Sequence, residues 1–167
     1  TAEIFQRTVA LLPDDVPRTA VEIGSGKGYL LGVLKQLGWK VQGIEIAADA
    51  ATYGERVFGV PAHAGTLESW LARPVAERDT FAVVLCIDII EHVLDPDRFV
   101  AGLAQVTAPD GHVVIDTPNG HARHIEIEGS QWRGFNPFHI YSFADTHMRR
   151  LLERHGFEVT RSFTYNN

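Results

Sequence analysis

Two carboxylates and three alternating glycines are the first residues in this chain with a chemistry of their own. The run Glu22-Ile-Gly24-Ser25-Gly26-Lys-Gly28 closes a short apolar stretch and opens a helical one. Glycine lets the backbone turn sharply and approach a ligand with no Cβ in the way. The helix start behind the loop offers unpaired N–H groups. A tight turn alone would use the same glycines. The pattern departs from the dinucleotide fingerprint G-x-G-x-x-G, whose third glycine would fall at position 29, where Tyr29 stands. Glu22, just ahead of the loop, would repel a pyrophosphate and attract a cation. Glu45 follows Gly24 by 21 residues, at the end of the next apolar run. A carboxylate there can accept hydrogen bonds from both hydroxyls of a ribose; the plainer reading is a surface glutamate at a strand end. A nucleoside with positive charge and no phosphate fits this set better than NAD. S-adenosylmethionine, with a sulfonium and an ammonium, is such a ligand.

Histidine is the natural proton acceptor near neutral pH, and two histidines stand where one is wanted. His139 lies between Pro137 and Tyr141, in a segment expected to cover a substrate. His92 follows the apolar run Phe81-Ala-Val-Val-Leu-Cys86-Ile87. Each also has a structural reading, His139 packed with Phe138 and Tyr141, His92 bonded to backbone at a helix start. Asp88, Glu91 and His92 can bring oxygen and nitrogen ligands together as a metal site, or form a solvated acidic loop. His121, His124, Glu126 and Glu128 have a spacing that can hold zinc, but no cysteine accompanies them and solvated loop residues are expected. Trp132, Phe135, Phe138, Tyr141 and Phe143 can line an apolar acceptor pocket or make the core of a lid.

These residues need strand ends and helix starts to position them, and the apolar periodicity supplies both. Helices are expected at 3–12, 29–37, 47–58, 67–71, 96–106 and from a Ser142 cap to about 155. Strands are expected at 20–23, 41–46, 60–64, 81–87, 112–116 and 157–165, with a turn at Pro109-Asp110-Gly111 and an irregular stretch over 117–141. Alternation of this kind predicts an α/β fold, a doubly wound and mostly parallel sheet with helices on both faces. Ligands then bind outside the carboxyl ends of the strands, at the loops after Ile23, Ile44, Ala64, Ile87 and Asp116.

The chain resembles the class I methyltransferase family over nearly its whole length. The match runs through Val21-Glu-Ile-Gly-Ser-Gly-Lys-Gly28, then Gly43-Ile-Glu45, then Phe81 to Val93, then Gly156-Phe157. A narrower set, Thr117-Pro-Asn119, Trp132 and Pro137-Phe-His139-Ile-Tyr141-Ser-Phe143, is similar to the small-molecule methyltransferases related to ubiquinone-biosynthesis O-methyltransferases. The resemblance implies a Rossmann-like fold and S-adenosylmethionine as cofactor, released as S-adenosylhomocysteine. It implies that Glu22, Gly24, Ser25, Gly26 and Gly28 pass around the methionine end. Glu45 would hold the ribose, with Ile46 on the adenine, and Cys86, Ile87 and Asp88 would lie under the methionine moiety. Where the family often has an aspartate for the adenine amino group, Gly65-Thr66-Leu67 stands here; Thr66 would accept that hydrogen bond and Leu67 would pack on the ring. Mg2+ at Asp88, Glu91 and His92 is the metal the resemblance suggests. The family's final antiparallel strand has no counterpart before Asn167, so a single domain over 1–167, cut from a longer protein, is expected.

Composition narrows the partners. The 167 residues carry 15 Lys and Arg against 21 Asp and Glu, a net charge of −6, with no basic run. That balance argues against nucleic acid. No apolar stretch reaches the roughly 18 residues of a membrane span, and Cys86 is the only cysteine, which fits a reducing cytoplasm. The expected activity is methyl transfer to a small molecule, to oxygen before nitrogen or carbon. The alternatives are an NAD-type oxidoreductase and a non-catalytic cofactor-binding module. The sequence leaves the acceptor and the oligomeric state open.

Overall fold

The computed structural model describes residues 2–132 and 136–165, with the side chains of all but Ala2, Arg123 and His124. It divides into two compact units, Thr1–Ile87 with Gln105–Ile115, and Asp88–Ala104 with Asp116–Asn167.

The first unit holds a sheet flanked by helices. In chain order its elements are α1 (Ala2–Leu11), β1 (Thr19–Ile23), α2 (Tyr29–Gln36), β2 (Lys40–Glu45), α3 (Ala48–Phe58), β3 (Ala62–Ala64), α4 (Leu67–Leu71) and β4 (Phe81–Ile87). After α5 (Pro96–Val106), which begins in the second unit, β5 (Thr107–Asp116) completes five strands in the order β3-β2-β1-β4-β5. The pairings β1–β2, β1–β4 and β2–β3 are all parallel. The strand order reverses between β1 and β4, which makes their carboxyl ends the place for a ligand. Residues Phe81 to Cys86 are all buried, as an unbroken apolar strand inside a parallel sheet should be. Leu30, Leu31 and Leu34 of α2 pack with Ala20, Val41, Val83 and Leu85 of the sheet, and Phe5, Val9 and Leu12 close over this core.

The second unit carries the start of α5, then α6 (Arg123–Glu128) and α7 (Asp145–Arg154). Asp97 at the start of α5 holds Arg154 at 2.5 Å and His155 at 3.2 Å at the end of α7.

The strand–helix order follows the apolar pattern, with four departures. The Pro109-Asp110-Gly111 turn lies inside β5, where Asp110 takes a left-handed φ of 59° and bends the strand without ending it. The stretch expected to be irregular contains α6. Helix α7 begins at Asp145 and not behind Ser142: Phe143 is bridged to Asn119 and its carbonyl accepts Gly120 N–H at 2.8 Å, so residues 142–143 are held extended. Residues 157–165, expected as a last strand, form none, since alternation gives a strand only where a ladder partner exists and none of these residues pairs into the sheet.

Candidate functional site

The glycine loop is a tight backbone cradle at the end of β1. Gly24, Gly26 and Gly28 all have positive φ, at 74°, 51° and 71°, a region that side-chain-bearing residues rarely enter. Gly24 and Ser25 donate to the Ile44 carbonyl at 2.8 and 3.3 Å, so the loop turns over the end of β2. Gly43 makes room for it: a Cβ there would stand 2.5 Å from Ser25 Oγ. Tyr29, in place of a third glycine, starts α2 and packs edge-on against Phe58 at 5.4 Å.

Glu45 ties this cradle together. Its Oε2 accepts Gly26 N–H at 2.7 Å and its Oε1 accepts Ala47 N–H at 2.7 Å. Each carboxylate oxygen keeps a second acceptor direction, the two that a diol would use. Glu22 is 6% exposed, and its Oε2 is buried with no hydrogen-bond partner. Burial, and then the charge of Glu45, push its carboxyl up to about 8. A positive charge placed beside it would favour the ionised form.

The residues expected to meet an adenine follow the β2–β3 register, which sets Glu45 against Ala64 and lets Gly65 N–H donate to the Glu45 carbonyl at 2.8 Å. Ile46 is 74% exposed and offers an apolar face, whereas Leu67 is 3% exposed and offers almost none. Thr66 Oγ caps α4, accepting Ser69 N–H at 3.2 Å. No pattern of residue types marks His63, whose Nε2 lies 2.8 Å from Ser69 Oγ. Burial and the charge of Arg73 lower its pKa. Cys86 is buried and Ile87 half-buried at the end of β4.

The second unit gathers the other candidates. Glu91 is 1% exposed and so no part of a solvated loop. Its Oε2 accepts from Thr117 Oγ at 2.9 Å, while Oε1 is buried without a hydrogen-bond partner. His92 Nδ1 lies 2.8 Å from the Phe138 carbonyl, and its ring stands 4.7 Å from that of His139. Glu91, His92 and His139 each present a ligand atom within 4.8 Å of the others, with His139 in the place expected for Asp88. Asp88 sits beside them at a φ of 53°. Burial, then Asp116 and Glu91, raise its pKa, against the pull of His139 and His92. Thr117 and the Phe138 carbonyl were not separable as partners in the sequence, because neither contact leaves a pattern in residue types.

Of the expected aromatic pocket, Tyr141 and Phe143 line an open cavity of about 470 Å³ together with Leu94, Pro96, His147 and Leu151. Phe138 is 76% exposed. Phe135 and the side chain of His124 lie outside the described residues. Among the described residues no helix is long and apolar enough to cross a membrane.

A family model described as a methyltransferase domain matches residues 1–162. The chain belongs to this methyltransferase-domain family. It is 27% identical over 161 residues to a ubiquinone biosynthesis O-methyltransferase of Cupriavidus pinatubonensis, covering 89% of this chain and 64% of that protein. A protein of the same name from Ralstonia nicotianae is 30% identical over 108 residues, covering 64% of this chain and 45% of its own length. The methyltransferase domain thus spans less than two thirds of these relatives. Its fold is that of a SAM-dependent methyltransferase from Thermotoga maritima, with a TM-score of 0.70 at 24% identity over 93% of this chain and 70% of that one.

Proposed function

We propose that this methyltransferase domain binds S-adenosylmethionine in the glycine cradle and directs its methyl group to a hydroxyl oxygen of a small molecule. The observation that carries this reading is Glu22: a buried carboxylate with a partnerless oxygen, beside a loop whose backbone is clamped by a second carboxylate. That arrangement favours a cationic nucleoside over one bearing phosphates. Glu45 would hold the ribose and Ile46 would cover the adenine. Thr66 is a weaker partner for the adenine amino group, its oxygen being shared with the cap of α4, and Leu67 would support the ring from beneath. Gly24, Ser25, Gly26 and Gly28 would wrap the methionine end, with Cys86, Ile87 and Asp88 beyond it.

When bound, the cofactor supplies an activated methyl carbon, so a C–O bond forms while the C–S bond breaks and its electron pair returns to sulfur. The chain's part is position and the removal of the acceptor's proton. His139 and His92 are proposed to receive the hydroxyl, one imidazole nitrogen taking up its proton as the C–O bond forms. Transfer to oxygen is favoured over nitrogen or carbon by this pair and by the names of the two relatives. The expected Mg2+ does not suit the cluster of Glu91, His92 and His139: magnesium prefers an octahedron of oxygens with several waters, and two of these three donors are imidazoles. The net charge of −6 favours a small acceptor over nucleic acid, and the single buried thiol of Cys86 suits the cytoplasm.

A thermal-shift titration tests the cofactor. S-adenosylhomocysteine should raise the melting temperature and NADH should not; the reverse would make the domain an oxidoreductase. Formation of S-adenosylhomocysteine in the presence of a hydroxylated acceptor separates an enzyme from a module that only binds.

A further inference from the structure

Helix α2 turns an apolar stripe to solvent. Tyr29, Val33 and Leu37, the last its C-cap, recur every fourth residue and are 46%, 41% and 48% exposed, while Leu30, Leu31 and Leu34 fill the inner side. Helix α3 widens the stripe: the Tyr53 ring stands 6.3 Å from that of Tyr29, and Val57, one turn further on, is exposed. The side of a helix that meets water ordinarily carries polar residues. An apolar patch with a charged rim marks an interaction surface.

The rim here is basic. The chain's lysines, Lys27, Lys35 and Lys40, all fall beside this helix, although the chain as a whole has a net charge of −6. Lys40 is matched by Asp79 at 3.0 Å. Arg18, Lys27 and Lys35 are each held by a neutral group instead. Arg18 donates to the Leu37 carbonyl at 3.0 Å, Lys35 donates to the Gly59 carbonyl at 2.5 Å, and the Lys27 ammonium lies 5.3 Å from the centre of the Tyr53 ring. Among the described residues none of these three cations forms an ion pair. They run along the stripe, Lys27 at the Tyr29 end, Lys35 beside Val33 and Arg18 at the Leu37 end. On α3, adjacent Glu55 and Arg56 offset each other. Fixed positive charges without carboxylate partners, set around an apolar stripe, call for an anionic apolar partner.

We infer that this face receives an acidic amphipathic helix of a partner protein, its apolar side on Tyr29, Val33 and Leu37 and its carboxylates toward Arg18, Lys27 and Lys35. From Tyr29 to Leu37 the helix rises about 12 Å, so about two turns of a partner helix cover the stripe. A second copy of this chain does not fit, because a two-fold contact sets a patch against itself and like charges would meet. A bilayer fits less well: an apolar helix face sinks about 5–10 Å into the acyl boundary, and these side chains are less than half exposed. The inference is independent of the cofactor reading.

Fluorescence anisotropy with a labelled synthetic peptide tests the surface. The probe is a helix of about 15 residues with leucine on one side and glutamate and glutamine on the other. Two controls replace each glutamate by lysine or scramble the leucines. The glutamate peptide should bind saturably and about tenfold or more tightly than either control, and added salt should weaken it. Val33→Asp and Lys35→Glu should each weaken binding by about tenfold or more, since one sets a charge in the apolar contact and the other sets like charges together. Both side chains are exposed, so circular dichroism should be unchanged. Val75→Asp, exposed in the turn after α4, should bind as the parent does. No saturable binding, equal binding of the lysine peptide, or full binding by both Val33→Asp and Lys35→Glu would overturn the inference. So would sedimentation of the domain with anionic phospholipid vesicles, or a dimer in solution, either of them abolished by Val33→Asp.

Discussion

Replacing Glu22 with glutamine should stabilise the empty protein and cripple it as a cofactor binder. An ordinary glutamate titrates near 4.5, and Glu22 in the fold is pushed up to about 8. Between these values folding takes up a proton, so stability is fullest below pH 4.5 and drains away as the pH climbs toward 8. At pH 7 the folded carboxyl stays mostly protonated, roughly 2.5 pH units above its unfolded titration. At about 1.4 kcal/mol per unit this amounts to about 3 kcal/mol. Glutamine has the same shape and no proton to take up. Ligand-free Glu22→Gln should therefore be about 3 kcal/mol more stable than the parent at pH 7 and less than about 1 kcal/mol more stable at pH 5. Urea unfolding at the two pH values reads the difference directly. The same substitution removes the negative partner of the cofactor's ammonium, a charged hydrogen bond of about 1.5–3 kcal/mol. S-adenosylhomocysteine should then bind about 10- to 150-fold more weakly by calorimetry. Equal stabilities at pH 7, or an unchanged affinity, would refute the reasoning.

The remaining predictions concern the same cradle and His139. Cofactor binding at pH 6.5 should release close to one proton, because the cation forces Glu22 to ionise; calorimetry in buffers of different ionisation enthalpy measures it, and no release would count against the pairing. Glu45→Ala should weaken cofactor binding by roughly 1–3 kcal/mol, since it frees Gly26 and Ala47 N–H groups as well as the ribose. Gly43→Ala should destabilise the fold by about 1–3 kcal/mol through the clash with Ser25 Oγ, and adding Ser25→Ala should recover much of the loss in urea unfolding. His139→Ala should slow turnover while leaving S-adenosylhomocysteine affinity alone; unaltered turnover would remove His139 from the reaction.

The strand ends were readable because parallel strands leave a strong mark: Phe81 to Ile87 is apolar without a break, and the glycines after Ile23 break the pattern at once. Glu22 and Glu45 could be placed from their distance to that loop, since a βαβ unit fixes where the second strand ends. What could not be read was anything that depends on partners far along the chain. Glu91 reads as a loop acid in sequence, and its burial follows only when Thr117 and the 138–141 segment fold against it. His139 joins His92 across 47 residues, a separation no local pattern records. The expected strand over 157–165 failed for the same cause in reverse: its alternation was present, but the pairing that makes a strand lies outside it.

The most direct measurement is the crystal structure of the domain grown with S-adenosylhomocysteine. Both ribose hydroxyls should lie on Glu45, with the amino group within hydrogen-bond reach of Glu22. A cradle that stays empty at saturating ligand, or one that takes a phosphate-bearing nucleotide against Gly24 to Gly28, would contradict it.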